Sequence, residues 1–162
     1  MEIIEYENKY LENVKDLLVE LEEYIISIDK DELDTLHPEY RDKMALLDLE
    51  ELKQNNGKCF LARENNNIIG LIMGCEYKYD EYDYLDYKCP KAGEITELIV
   101  SKKTRNKGVG TLLIEKMENY FKSIGMEYVK MDVFAYNDKA INFYEKKGYH
   151  TRGLIDIKKL WH

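Results

Sequence analysis

The sequence predicts an α/β (α+β) domain: a mixed sheet with helices on both faces, in the order β-α-α-β-β-β-α-β-α-β. Three observations carry this reading. Apolar residues recur at helical spacing in several separate runs, the early strands are joined by a hairpin, and the later strands alternate with helices. The 162 residues amount to a single domain, 1–162, long enough to bury a core. With 44% apolar and 35% charged residues the chain belongs with folded globular proteins.

Ile3–Tyr6 reads as a first strand, and Asn8 is placed to cap the helix that follows. Leu11, Val14, Leu17, Leu18, Leu21 and Ile25 give that helix one apolar stripe. An acid-rich loop from Ser27 to Pro38 follows. Arg41–Asn55 forms the second helix, with Met44, Leu47 and Leu52 on one face, and Asn55-Asn56-Gly57 stops it. Cys59–Arg63 and Ile68–Cys75 flank the turn-prone Asn65-Asn66-Asn67 and form a hairpin. Glu76–Cys89 carries five acids, two lysines and five tyrosines and loops out of the sheet. Gly93–Val100 is a strand. Gly108–Ile124 is a helix with Val109, Leu112, Leu113, Met117, Tyr120 and Ile124 as its apolar face, stopped by Gly125. Tyr128–Phe134 is a strand, Asn137–Lys147 a helix ending at Gly148, and Tyr149–Leu160 supplies one or two closing strands.

Composition excludes several classes of function. No apolar run approaches the ~20 residues of a membrane span. MEIIEYENKY lacks the basic flank and apolar stretch of a signal peptide, so the expected compartment is cytoplasmic. Cys59, Cys75 and Cys89 show no C-x-x-C spacing, which argues against a zinc knuckle or a disulfide framework, and no metal is expected. A net charge of -8 argues against nucleic-acid binding. The charge is uneven: residues 1–100 hold 25 acids and 11 bases, residues 101–162 hold 7 acids and 13 bases. One half suits a cation and the other an anion, although chance scatter in a short chain accounts for the imbalance equally well.

Arg105-Asn106-Lys107-Gly108-Val109-Gly110 sits between a strand and a helix. Unpaired N–H groups at a helix N-terminus bind anions, and glycines let a phosphate approach the backbone closely. Lys102, Lys103, Arg105 and Lys107 add positive charge, so a di- or polyphosphate fits. The loop is not of the Walker type, because Gly110 is followed by Thr111 and Leu112 rather than Lys-Ser/Thr. Nor is it a Rossmann fingerprint, because Leu113 stands where a small residue belongs. Alone, such a loop is equally well a plain strand-to-helix turn.

Farther along stands a second run, "NDKAINFYEKKGY", Asn137 to Tyr149. Asn137 is placed as an N-cap, Ala140 is small enough for a ligand to pass, and Ile141 and Tyr144 share a face. With "ELIV" and "RNKGVG" before it, in this order and spacing, the stretch from Gly93 to Tyr149 resembles the GNAT superfamily of acetyl-CoA-dependent N-acetyltransferases. That resemblance implies a GNAT-like, mostly antiparallel central sheet. It also implies a cofactor-binding core over about 93–149 and acceptor-side segments over about 28–40 and 76–89.

The resemblance implies transfer of an acetyl group from acetyl-CoA to an amine by direct attack, with CoA as product. The pyrophosphate would lie against the backbone of Arg105, Asn106, Lys107, Gly108, Val109, Gly110 and Thr111. The pantetheine arm would pair like a strand with Leu98, Ile99 and Val100, exposed where the two neighbouring strands splay. Asn137 and Ala140 would approach the cofactor from the last helix. A backbone N–H within Leu98–Val100 would serve the oxyanion, and Tyr144 would protonate the departing sulfur. Glu97 or Glu94 would take the amine's proton, unless ordered water alone does so. Alternation places these two on opposite faces unless a bulge intervenes, and Glu97, within the "E-L-x-V" arrangement, is preferred.

Acidic residues in both acceptor-side segments suit a cationic acceptor: a polyamine, an aminoglycoside-like amine or a basic peptide. The acids equally fit a solvated loop. The tyrosines of 76–89 suit packing on alkyl chains or ammonium groups, or a contact in a homodimer. His37 stands on the acceptor side. A non-catalytic acyl-CoA sensor or scaffold with the same fold, and an unrelated nucleotide-binding domain, are the competing classes.

Overall fold

The structure, a computed structural model, describes residues 1–104 and 107–161. Arg105 and Asn106, both expected at the phosphate loop, lie outside the described residues. Two compact units are distinguished, Met1–Asp132 and Val133–His162.

The first unit is built on a five-stranded sheet in the order β1-β2-β3-β4-β5. The strands are β1 (Glu2–Glu5), β2 (Lys58–Glu64), β3 (Asn67–Glu76), β4 (Ala92–Val100) and β5 (Tyr128–Lys130). The first four pair antiparallel, and β5 runs parallel to β4. This is the mixed, mostly antiparallel sheet that the sequence predicts. Asn65 and Asn66 turn the β2–β3 hairpin with φ of 49° and 66°. Asparagine tolerates that left-handed backbone better than most residues, which is why the trio makes a tight turn.

Helices α1 (Leu11–Ile28) and α2 (Tyr40–Gln54) cover one face. Val14, Leu17 and Leu18 of α1 and Ala45 and Leu52 of α2 pack against Cys59, Leu61, Leu71, Met73, Cys75 and Ile99. Side chains alternate along a strand, so Gly70, Ile72 and Gly74 turn to the other face, where α4 (Val109–Ser123) lies. A Cβ on Gly74 would meet Phe121 at 2.9 Å, and one on Gly93 would meet the same ring at 2.6 Å. These two glycines let the phenyl ring lie directly on the backbone of β3 and β4. Side-chain ties hold the elements in place: Arg41 bonds Glu12 and Asp16 across α1 and α2. Glu20 of α1 accepts the Lys102 N–H at 2.6 Å just beyond β4. No helix among the described residues is long and apolar enough to cross a membrane.

Several expectations are corrected. Asn8 does not cap α1: it opens a short 3₁₀ turn, Asn8–Tyr10, and α1 starts at Leu11 with no side-chain cap. Leu112 is exposed, and the buried face of α4 is Val109, Leu113, Ile114, Met117 and Phe121. Leu47 is 64% exposed, so α2 does not present the stripe read from Leu47 and Leu52. β5 ends at Lys130, well short of Phe134. No strand forms over Tyr149–Leu160 among the described residues. A strand exists only by pairing, and Gly153 and Lys158-Lys159 interrupt the period-two pattern that a half-buried strand needs.

The second unit holds α5 (Asp138–Lys146), started as expected by Asn137, whose Oδ1 accepts the Ala140 N–H at 3.1 Å. Tyr144 meets the rings of Phe143 and Tyr149 at 5.3 and 5.8 Å.

Candidate active site

The β3–β4 register determines where the two glutamates point. Met73 stands opposite Glu97 and Cys75 opposite Glu94, with a register shift between Met73 and Gly74. Thr96 is the extra residue on β4, a bulge that reverses the alternation. Glu94, Glu97 and Ile99 therefore share the face covered by α1 and α2. The simple alternation that separated the glutamates does not hold.

Pairing between β4 and β5 ends at Glu94 with Lys130. Leu98 and Ile99 lie beyond it, on a stretch of β4 that, among the described residues, pairs with β3 only. At the end of β4 the chain passes through a 3₁₀ turn, Lys102–Thr104, and reaches α4. Gly108 precedes α4 with φ of 75°, a conformation that glycine adopts without strain. Among the described residues, the helical ladder of α4 opens with the Leu112 N–H donating to the Gly108 carbonyl at 3.2 Å. The N–H groups of Val109, Gly110 and Thr111 precede that ladder, in the anion-binding position at a helix start. The Lys107 ammonium lies 3.4 Å from Glu64, so part of its charge is already matched.

Around Glu97 the structure gathers groups that sequence reasoning missed. Asp48 lies three residues after Ala45 and four before Leu52, on the sheet-facing stripe of α2. Its Oδ2 is buried with no hydrogen-bond partner among the described residues. Burial, then the charge of Glu51, raises the Asp48 carboxyl to about 6. Burial is also the main cause that pushes Glu97 up to about 8, with Asp48 and Glu22 adding like charge. Tyr40 is pushed up by burial and by Glu22, Glu97 and Asp48. Glu94 is raised too, by burial, Asp132 and Glu51, against the pull of Lys130. The missed signal was a charge on an apolar stripe: Asp48 interrupts Ala45–Leu52 as Glu22 follows Leu18.

Glu97 thus combines partial burial, a raised pKa and a place beside the stretch of β4 that extends past β5. These are the attributes of a general base that works near neutrality. Burial raises Cys59 to about 12 and Cys75 to about 11, which leaves both as inert thiols. His37 is exposed, and its Nδ1 accepts the Glu39 N–H at 3.1 Å. Glu94, Glu97, Leu98, Ile99, Val100 and the start of α4 belong to the first unit. Asn137, Ala140 and Tyr144 belong to the second.

A sequence model of the acetyltransferase (GNAT) family matches residues 22–149. The chain belongs to that family, one of acetyl-CoA-dependent enzymes. An uncharacterized N-acetyltransferase of Methanocaldococcus jannaschii is 31% identical over 99 residues, 60% of this chain and 56% of the relative. The match spans about half the length of such curated relatives. A putative acetyl transferase from Pyrococcus furiosus aligns with a TM-score of 0.73 at 27% identity, covering 98% of this chain and 99% of that one. The aminoglycoside acetyltransferase AAC(6')-Iy, solved with a bisubstrate analogue, aligns at 0.70 and 18% identity over 98% and 97% of the two chains. At that identity the likeness shows the fold alone.

Proposed function

We propose that this GNAT-family chain transfers the acetyl group of acetyl-CoA to the amine of a cationic acceptor, by direct attack. The single observation that carries the reading is the half-buried Glu97, on the helix-covered face of β4 beside the stretch of that strand beyond its pairing with β5.

A primary amine is almost fully protonated at neutral pH, with a pKa of about 10. Glu97 takes that proton. The neutral nitrogen attacks the thioester carbonyl, the resulting cationic nitrogen gives its extra proton to water, the C–S bond breaks, and CoA leaves as thiolate. The motif position of Tyr144 assigns it the proton that neutralises the sulfur, since a phenol with a pKa of ~10 is protonated at pH 7. Leu98 and Ile99 offer backbone to the pantetheine amides, and the N–H groups of Val109, Gly110 and Thr111 to the pyrophosphate. The motif resemblance assigns Asn137, Ala140, Arg105 and Asn106 to cofactor binding as well.

The acidic surroundings favour a cation. Glu22, Asp48, Glu94 and Glu97 are the carboxylates of the face under α1 and α2, and each has a raised pKa. An ammonium group there relieves their mutual repulsion. The neighbour solved with an analogue joining CoA to an aminoglycoside-derived amine is consistent with such an acceptor.

The test is calorimetric titration with acetyl-CoA, followed by thiol release across a panel of amines. Binding with release from a polyamine or aminoglycoside supports the reading. Binding without release from any amine favours the acyl-CoA sensor instead, and absence of binding overturns both.

A further inference from the structure

The acids of the loop after β3 suit either a cationic acceptor or solvent. In the structure they are partly spent on the loop itself. Asp80 Oδ1 accepts the N–H groups of Tyr82 and Asp83, and Asp83 Oδ2 accepts the Asp80 N–H. These bonds start the one-turn helix α3 (Asp83–Asp86). The tyrosines pack against one another instead. Tyr77 and Tyr79 meet edge-on at 4.9 Å, and Tyr79 also contacts Tyr84 and Tyr87 at 6.2 and 5.8 Å. The Tyr79 hydroxyl donates to the Pro90 carbonyl at 2.7 Å, which locks the ring's position.

A cation already sits on this cluster. The Lys130 ammonium lies 3.5 Å from the Tyr77 ring centroid and 5.5 Å from that of Tyr79. Among the described residues Lys130 makes no ion pair, although Asp80, Glu81, Asp83 and Asp86 crowd the loop. The rings hold the charge at close range, while Glu94 feels it from farther away. We propose that Tyr77 and Tyr79 form an aromatic seat for a second ammonium group of the acceptor, and that Lys130 fills the seat until an acceptor displaces it.

The seat lies on the same side of the sheet as Glu97. Lys130 stands beside Glu94 in the β4–β5 register, and directly paired residues point to the same face. Glu94 and Glu97 share that face through the bulge. The Tyr77 N–H donates to the Ala92 carbonyl at 2.8 Å, which carries the ladder one step past β3. Tyr77 lies four residues along the chain from Met73, the partner of Glu97. At about 3.3 Å per residue, that sets the seat roughly 10–13 Å from the base. The acceptor class follows: an amine with a second cationic group at about that distance. This rests on the reading of Glu97 as the base that prepares the reacting amine.

Diaminooctane, whose extended amines span that distance, and octylamine, with one amine on the same chain, are the probes. The methylene protons next to the Lys130 ammonium are expected to resonate upfield, under the Tyr77 ring. Diaminooctane moves them back toward the free-lysine position, and octylamine does so only at much higher concentration. Lys130→Ala assigns the resonance. It also raises the kcat/KM ratio of diaminooctane over octylamine by about two- to five-fold, the range for an exposed cation–π contact. Tyr77→Leu brings the ratio toward one. A lysine signal that ignores diaminooctane, with a ratio unchanged in both variants, overturns the seat. Displacement of Lys130 without acetylation of either amine leaves the seat standing and sinks the transferase reading. Acetylation with no displacement and no change in ratio does the reverse.

Discussion

Glu94 and Glu97 face the same side of β4 although three residues separate their numbers, because Glu97 stands opposite Met73 and Glu94 opposite Cys75. The bulge at Thr96 thereby places two carboxylates of unequal character on one surface. Glu97 is the more deeply buried and is raised to about 8, while Glu94 is eased by Lys130.

A base must be ionised before it accepts a proton. With Glu97 at about 8, kcat/KM is expected to rise with pH through an apparent midpoint near 8. Glu97→Gln removes that limb and lowers turnover by about 10²-fold, the lower end for a lost general base. Glu94→Gln keeps the limb and loses no more than a few-fold. Rate profiles of the three proteins decide this, and an unmoved limb in the Glu97 variant assigns the proton to water.

The same shift makes folding stability depend on pH. Glu97 is raised from an ordinary value of 4.5, so the folded chain holds its proton more tightly than the unfolded chain does. The stability this adds is fully present below about 4.5 and is lost as pH rises through about 8. Asp29 and Glu76 are lowered by hydrogen bonds, so their contribution has the opposite sign and is lost as pH falls. Glu97→Gln should therefore match the parent near pH 3.5 and exceed it at pH 9, by on the order of 2–4 kcal/mol. Urea unfolding at both pH values measures it, and an equal difference at the two would mean that Glu97 is not shifted.

Asp48 tests the electrostatic part of that shift. Its buried Oδ2 lacks a partner and its charge opposes ionisation of Glu97. Asp48→Asn removes the charge, so the limb of the rate profile moves to lower pH by roughly half a unit to one unit. Burial is the larger cause and persists, so the midpoint stays above the ordinary carboxylate range. A variant that loses stability but keeps the parent's midpoint would show Asp48 to be merely structural.

What the sequence revealed and what it hid divide along physical lines. Local chemistry was legible: the Asn65-Asn66 turn, the Gly108 start of α4 and the Asn137 cap all follow from backbone preferences of single residues. Pairing was not. The Thr96 bulge exists only in the register with β3, and the shortness of β5 only in its register with β4. The two glutamates stand out in the sequence as candidate bases, but the groups around them do not, because Asp48 and Glu22 reach Glu97 only through the packing of α1 and α2. Leu47, exposed, draws the apolar face read for α2 away from Ala45 and Asp48. The seated Lys130 joins residues about fifty positions apart, beyond the reach of any local pattern.

Gly93 and Gly108 separate two roles of glycine. A Cβ on Gly93 would meet the Phe121 ring at 2.6 Å, so Gly93→Ala forces the core apart and should cost about 1–3 kcal/mol. Gly108 has open space around its missing Cβ but holds φ at 75°. Gly108→Val strains the backbone instead, by about 1–3 kcal/mol, and weakens acetyl-CoA by disturbing the helix start. Thermal melts and cofactor titration on both variants distinguish the two. Weaker binding in the Gly93 variant alone would place the pyrophosphate elsewhere.

Tyr144 provides the test of the leaving-group step. Its ring sits at 5.3 Å from Phe143 and 5.8 Å from Tyr149, contacts that a phenylalanine keeps. The backbone bond from the Tyr149 N–H to the Tyr144 carbonyl, 3.1 Å, is also indifferent to the hydroxyl. Tyr144→Phe keeps these contacts and removes the acidic hydroxyl. Turnover should fall by about 10²-fold, within the range for lost general-acid catalysis, while the Kd for acetyl-CoA stays within about two-fold. A thioester with a more acidic thiol needs less help at the sulfur, so it should recover most of the lost rate. Equal losses for both thioesters would mean that the hydroxyl shapes the site rather than protonating the thiolate.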